Sequence, residues 1–426
     1  MKRKTILPII LSAAVVLAAG AAGIVLGVRN NRAIQAQMLS VDAQPAPYKE
    51  LEEGALNAAA DFSARFFHVC RDPEAVNNCL SPLSAYFALG LTANGADTVT
   101  LEQLEDLLGG GPGTLPSINA TCRALLEDLS ADGDTGRISF ANSIWFREDG
   151  FTAYDSFLQD NTAYLGAQAY RSDFRKPDSA AADMNRWIRE QTDGLIDEII
   201  LPEEIKDISM MFLYNTVLFD MKWAEEITDQ QVSDDVFTAY DGTERTIPFL
   251  HSEGAYLCKE GLFQGFRKSY NGRCAFVGLL PAGNSTPEEL AASLDGAALR
   301  QLARSSQGTA QASFPEFQFE QTADLKGGLQ SLGLANFFEG TFPDLTRMGK
   351  SDSGRLEVAK ILQKTYVDVN QQGTKAAAAT RVDIVASCAV SQSEPVPVVL
   401  DRPFLFLIQD TVTGLPLFMG VVNSIQ

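Results

Sequence analysis

Between Gly373 and Val385 the chain reads Gly-Thr-Lys-Ala-Ala-Ala-Ala-Thr-Arg-Val-Asp-Ile-Val, and where its charges fall constrains the fold more than any other stretch. Taken alone, the alanines suit a helix or a featureless linker. Thr374, Ala376, Ala378, Thr380, Val382 and Ile384 share one parity and are small or apolar, whereas Lys375, Arg381 and Asp383 occupy the other. Side chains of a strand alternate between faces, so this is the pattern of a strand with one face buried and one wet. Small side chains bury little area, however, and good strands are expected on either side, at Glu357 to Val369 and Val396 to Ile408. A segment that can form a strand but is weakly held as one is a conditional strand, an exposed loop that enters a sheet after a trigger. Alanines suit that role, because bulky side chains would slow entry between two strands already in contact.

Elsewhere the periodicity changes along the chain. Leu51, Leu56, Ala59, Phe62, Phe66 and Val69 recur mostly at three- and four-residue steps and predict a helix over Lys49 to Val69. Ser81 and Pro82 read as the N-cap and first residue of another helix. Asp183 to Ile200 reads as helical, with Asp193-Gly194 interrupting it. Strand signals lie in MFLYNTVLFDMKW, CAFVGLLPAG, ASFPEFQFE and the final PFLFLIQDTVTGLPLFMGVV, where Asp410 to Gly414 marks a hairpin turn. Helices come first and strands dominate the end, which predicts a mixed α+β class.

A chain of 426 residues with 46% apolar composition can bury a large core. Its net charge of −20 opposes a phosphate backbone and excludes nucleic acid as a natural partner. The six cysteines, Cys70, Cys79, Cys122, Cys258, Cys274 and Cys388, form no CxxC pair and no zinc spacing with histidine, so neither a metal nor another cofactor is expected. Cys70 and Cys79 are close enough in sequence to pair, a geometry that sequence leaves open. With only His68 and His251 available, and neither in a recognisable catalytic setting, nucleophilic enzyme chemistry is not expected.

Lys2, Arg3 and Lys4 precede an uncharged apolar stretch from Ile6 to Val28, longer than the roughly 20 residues that cross a bilayer as a helix. Residues 1–28 therefore read as a membrane anchor or a signal segment, and both readings export the rest of the chain. Residues 29–48 are polar and Pro/Ala-containing, as expected of a tether, and 49–426 form the folded domain.

The run VDVNQQGTKAAAAT closely resembles the hinge of the reactive loop in inhibitory serpins. NCLSPLSAYFALGLTANGA, MNRWIREQTDGLIDEII, MFLYNTVLFDMKW and DRPFLFLIQDTVTGLPLFMGVV resemble, in family order, its helix-B, helix-F, strand-3A with breach, and C-terminal motifs. The likeness spans about Lys49 to Gln426 and implies three β-sheets, about eight or nine helices and an exposed reactive loop at about 371–395. By matched position, Gly373, Thr374, Lys375, Ala376, Ala377, Ala378, Ala379 and Thr380 become the hinge, with Thr374 exposed before insertion. Ser81, Ser84, Asn215 and Gln363 become a polar shutter beneath the sheet, and Trp223 marks the breach where the loop enters. The sequence departs from the pattern at Gln371, Gln372 and Lys375, where acidic residues are usual, and at Gln363, where many animal members have histidine.

The resemblance also implies a function. A protease cuts the loop, and the loop inserts before the acyl-enzyme hydrolyses. Hinge length puts the cut between Ser387 and Cys388, with Ala386-Ser387 as the neighbouring choice. Small residues there suit elastase-like or subtilisin-like targets. The chain would act as an extracellular monomer, secreted or tethered to the outer face of the membrane, and would supply no catalytic residue. Cys388 reads as a small residue beside the cut or as a redox handle. The alternatives are a non-inhibitory member of the same fold acting as a binding or chaperone-like surface protein, an adhesin with the loop as spacer, and a hydrolase.

Overall fold

Along Gln363 to Asn370, side chains alternate strictly between buried and half-buried, which places one face of this strand in the core and the other at the surface. It belongs to an eight-stranded sheet in a computed structural model that describes residues 33–207, 209–335, 343–352, 356, 361–374 and 394–426. We label the strands of that sheet β1 (Gln37–Met38), β2 (Ala131–Gly133), β3 (Gly136–Arg147), β4 (Gln168–Ser172), β5 (Met211–Lys222), β6 (Phe317–Asp324), β7 (Leu362–Asn370) and β8 (Gly373–Thr374). Their spatial order is β1-β4-β3-β5-β8-β7-β6, with β2 paired to β3. β3 and β4 run parallel, while β5 and β7 each pair antiparallel with the two-residue β8 between them.

Behind this sheet lies a nine-stranded one that includes Phe404–Asp410 and Pro416–Val422. Both strands are buried along their whole length, so they read as continuous apolar runs. A two-stranded sheet pairs Gly349–Ser351 with Phe151–Ala153. These three sheets and nine α-helices, counted among the described residues, give the α+β class and the number of elements expected.

Several boundaries differ from the sequence reading for identifiable reasons. The helix expected over Asp183 to Ile200 spans Pro177–Gln191 and stops because Asp193 and Gly194 both take left-handed φ, 49° and 80°. The strand expected over Val396 to Ile408 divides into Val396–Val399 and Phe404–Asp410, with Pro403 between them. ASFPEFQFE divides at Glu316 into Thr309–Pro315 and β6, which belong to different sheets.

Residues 29–48, expected as a tether, lie against the body from Ile34 onward. β1 adds to the edge of the sheet, pairing Gln37 with Arg171 and Met38 with Tyr170. The amides of Gln35 and Ala36 donate to the buried Asp183 carboxylate at 2.8–3.0 Å, and Ala46 donates to the Ala163 carbonyl at 2.8 Å. These contacts come from backbone groups, which a composition of Ala, Pro and Gln does not advertise. Among the described residues no helix is long and apolar enough to cross a membrane, and Ile6 to Val28 falls outside them.

Candidate functional site

β5 and β7 share β8 as a neighbour, but among the described residues they do not pair with each other. Below Gly373 and Thr374, among the described residues, a slot therefore lies between β5 and β7, one strand wide at β8. Its inward-facing side chains on β5, Leu213, Asn215 and Val217, stay only half-buried although the strand is central. Leu213 and Asn215 border a cavity of about 480 Å³, reached also by Ser84, Leu89, Leu329 and Gln363.

The N-terminus of the helix Pro82–Ala93 grips both sides of this slot. Ser81 caps the helix by accepting the Ser84 amide at 3.3 Å, with Pro82 as first residue where no N–H is needed. The Ser81 hydroxyl donates in turn to the Leu417 carbonyl at 2.7 Å, joining helix and rear sheet. On the β7 side, Gln363 accepts the Ser81 amide and donates to the Ser81 carbonyl, both at 2.8 Å. Glutamine thus supplies both donor and acceptor at this position. Thr365 adds a hydrogen bond to the Cys79 carbonyl at 2.8 Å. On the β5 side, the Ser84 hydroxyl donates to the Asn215 carboxamide oxygen, whose amide nitrogen donates to Asn142 at 2.7 Å. Asn142 closes the chain on the Leu165 carbonyl at 2.7 Å. Ser81, Ser84, Asn215 and Gln363 are therefore brought together, and Asn142 and Thr365 join them. Sequence reasoning missed these two, although Asn142 is the residue directly opposite Asn215 in the ladder.

At the upper end of the slot, β7 turns through Gln371 and Gln372 and returns as β8. Gly373 lies at φ +149° with room for no Cβ, which would meet the Met221 carbonyl oxygen at 2.2 Å. Thr374, expected to be exposed at the hinge, is instead 3% exposed and lies in the sheet opposite Met221 and Val369. It faces inward, as its parity required, and its hydroxyl meets that of Tyr270 at 2.7 Å. Trp223, 3% exposed, donates from Nε1 to the Asn370 carbonyl at 3.0 Å and stacks on Tyr270 with centroids 4.4 Å apart. Lys268 packs with Nζ 5.5 Å from the Trp223 ring centroid and donates to the Glu225 carbonyl at 3.3 Å. Burial in that aromatic setting pulls its pKa down to about 8, against a smaller upward pull from Glu225. Gln371, departing from the usual acid, donates from its side chain to the Ile227 carbonyl and Asp229 at 2.9 Å. Gln372 is exposed.

Lys375 to Thr380, the bond Ser387-Cys388 and its neighbour Ala386 lie outside the described residues. Cys70 and Cys79 are separate buried thiols, and burial pushes both up to about 12. His68 is exposed on its helix, and the ring nitrogens of His251 are taken by the hydroxyls of Ser233 at 2.8 Å and Ser313 at 3.0 Å. Among the described residues no cluster of His, Cys, Asp and Glu could hold a metal ion.

The profile of the family described as "Serpin (serine protease inhibitor)" matches residues 57–425. Neuroserpin of Gallus gallus is 28% identical over 380 residues, covering 85% of this chain and 90% of the relative. Serpin-ZXA of Oryza sativa subsp. japonica is 31% identical, covering 82% of this chain and 90% of the relative. Among solved structures, the thermophilic serpin tengpin in its native state superposes with a TM-score of 0.83 at 34% identity, covering 92% of this chain and all of that one. A match along nearly the whole domain, joined to a sheet whose central strands β5 and β7 share only the two-residue β8 among the described residues, leads to one conclusion: the chain belongs to the serpin family of serine protease inhibitors.

Proposed function

We propose that this serpin is an inhibitor of the suicide-substrate type, offering the segment between Thr374 and Val396 as bait and inserting it between β5 and β7 once it is cut. The observation that carries this reading is the slot, one strand wide, with Gly373 and Thr374 at its upper end. The register of those two residues supports it. Continued by alternate residues along β5, Ala376, Ala378, Thr380, Val382 and Ile384 would fall opposite Phe219, Val217, Asn215, Leu213 and Met211. The parity set thus ends where β5 begins. On β7 the same continuation brings Thr380 opposite Gln363, so a hydroxyl meets the polar shutter, while Ala376 falls between the apolar Phe219 and Val367 and Ala378 between Val217 and Thr365.

In the reaction, the serine oxygen of the protease attacks the carbonyl carbon of Ser387. The bond to the Cys388 nitrogen breaks, that nitrogen takes a proton from the histidine of the protease, and an ester joins the two proteins. Insertion then carries the ester across the molecule and distorts the protease before water can release it. Ladder bonds on about ten inserted residues, each worth roughly 0.5–1.5 kcal/mol net, supply on the order of 10 kcal/mol. Ala386, Ser387 and Cys388 suit the shallow pockets of elastase-like or subtilisin-like enzymes, with Ala386-Ser387 as the adjacent choice of bond. Incubation with an elastase-like protease should give a complex that survives boiling in detergent. Cleavage with full recovery of protease activity would refute trapping.

The same reading puts the folded body outside the cytoplasm, secreted or held at the outer face of the membrane by residues 1–28. The basic Lys2 to Lys4 and the apolar Ile6 to Val28 support it. Membrane fractionation of the full chain, with sequencing of its mature N-terminus, distinguishes anchor from signal segment.

A further inference from the structure

We propose that Tyr270 is a positioning residue for loop insertion: reaching up from the rear of the molecule, its hydroxyl holds Thr374 inside the slot before any protease arrives, so that insertion extends a strand already begun. The inference rests on the inhibitory reading and names the group that primes it. β8 is two residues long, and neither the glycine nor the threonine buries enough apolar area to anchor so short a strand. Its position therefore depends on hydrogen bonds: the ladder to β5 and β7, the contacts of Gln371 at the turn, and one aromatic donor or acceptor on each leg of the hairpin Asn370–Thr374. Trp223 holds the outgoing leg through the Asn370 carbonyl at 3.0 Å, and Tyr270 holds the returning leg through the Thr374 hydroxyl at 2.7 Å.

The two rings form one rigid plate, stacked at 4.4 Å with an interplanar angle of 9°. Phe219 meets Tyr270 edge-on at 5.0 Å, so the ring has little freedom to swing away from the hinge. Tyr270 is 1% exposed, and burial pushes its phenol upward, keeping the proton on the hydroxyl so that it remains able to donate. Its reach comes from the other sheet, across a bridge to Trp223 and 104 residues away in sequence from Thr374.

The consequence is kinetic. Zipping of the loop proceeds from molecules whose hinge is already seated, so its rate scales with that seated fraction. Losing one buried hydrogen bond changes such a fraction by a factor of about 3 to 10. Deacylation competes with zipping. Hence the ratio of inhibitor consumed to protease inactivated exceeds one by the quotient of the two rates, and this excess should rise by the same factor of about 3 to 10.

The test uses the full chain carrying Tyr270→Phe, Thr374→Val and both together. Tyr270→Phe retains the ring and its stacking, and Thr374→Val retains the shape of the threonine. Two readouts are taken, hydrogen exchange of residues 370–374 and the inhibition ratio with an elastase-like protease. Exchange at the hinge should accelerate in either single variant, with protection of the strands β3 and β6 unchanged, and the double variant should add little to either single one. Unchanged hinge protection in Tyr270→Phe, or effects of the two substitutions that simply multiply, would overturn the clamp. These exchange outcomes do not require inhibition. If the wild-type chain traps no protease, the inhibitory reading fails while the clamp is still decided by exchange. If wild type traps and Tyr270→Phe leaves the ratio as it was, seating by Tyr270 does not prime insertion.

Discussion

Burial beside Trp223 lowers the pKa of Lys268 from 10.5 to about 8. With the folded value below the unfolded one, the unfolded chain binds more protons between about pH 8 and 10.5, so this group makes stability rise with pH across that window. The slope it adds approaches ~1.4 kcal/mol per pH unit. Lys268→Met should abolish that slope and leave the protein more stable near pH 7, as urea titrations at pH 7, 8, 9 and 10 would reveal. At the bait, Ser387→Arg should move inhibition toward trypsin-like enzymes, whose acidic pocket base pairs with arginine. Complex formation with trypsin-like and elastase-like enzymes measures it, and a variant still trapping only the latter places the bond elsewhere. Legibility at this scale was uneven. Ser81, Ser84, Asn215, Trp223 and Gln363 could be carried over from matched motifs, and all stand around the slot. Tyr270 and Lys268 could not be reached that way, because they lie in a strand and turn of the rear sheet whose link to the hinge exists only after folding.

Single elements repeat this contrast. The helix starting at Pro82 was legible from its cap alone, and the inward parity of Thr374 from alternation alone. The depth of Thr374 was not, since a sequence pattern specifies a face and says nothing of whether the slot beside it is occupied. That depth changes what Thr374→Arg should do. An unpaired arginine cannot remain at a site 3% exposed, so the two-residue β8 should leave the sheet while the rest stays folded. Insertion would then have to bury the charge, and the ratio of inhibitor consumed to protease inactivated should rise at least about tenfold. Lys375→Glu, on the opposite parity, should leave the ratio unchanged, and equal effects of the two would contradict the parity argument. The strap from Ile34 to Tyr48 was illegible because its grip is made by backbone amides on a carboxylate far away in sequence. Asp183→Ala leaves the amides of Gln35 and Ala36 without that acceptor and should cost about 1.5–3 kcal/mol, with faster proteolysis inside 33–48. Asp183→Asn keeps an oxygen acceptor and should cost less, a ranking that denaturant midpoints can check.

On the inhibitory reading, the whole molecule stores free energy in one place. Among the described residues, β5 and β7 forgo a full ladder along their facing edges, and half-buried Leu213 lines a cavity where a neighbouring strand would cover it. The helix Pro82–Ala93 bonds to both sides of this gap, and Trp223 and Tyr270 bond to the hinge at its upper end. In an ordinary globular protein, cutting a surface loop lowers stability or leaves it alone, because the cut only frees chain ends. Here a cut at Ser387-Cys388 should release a strand that can fill the slot, and with on the order of 10 kcal/mol gained the unfolding midpoint should rise by at least about 10 °C. Differential scanning calorimetry of intact and cleaved protein measures this directly, with the scan rate held constant so that the two midpoints can be compared. Thr374→Arg supplies the control. Cleaved at the same bond but barred from seating its first inward residue, it should show a far smaller rise. A cleaved wild type that melts at or below the intact protein would mean that the slot is not the destination of the loop, and that the open sheet has another purpose in this chain.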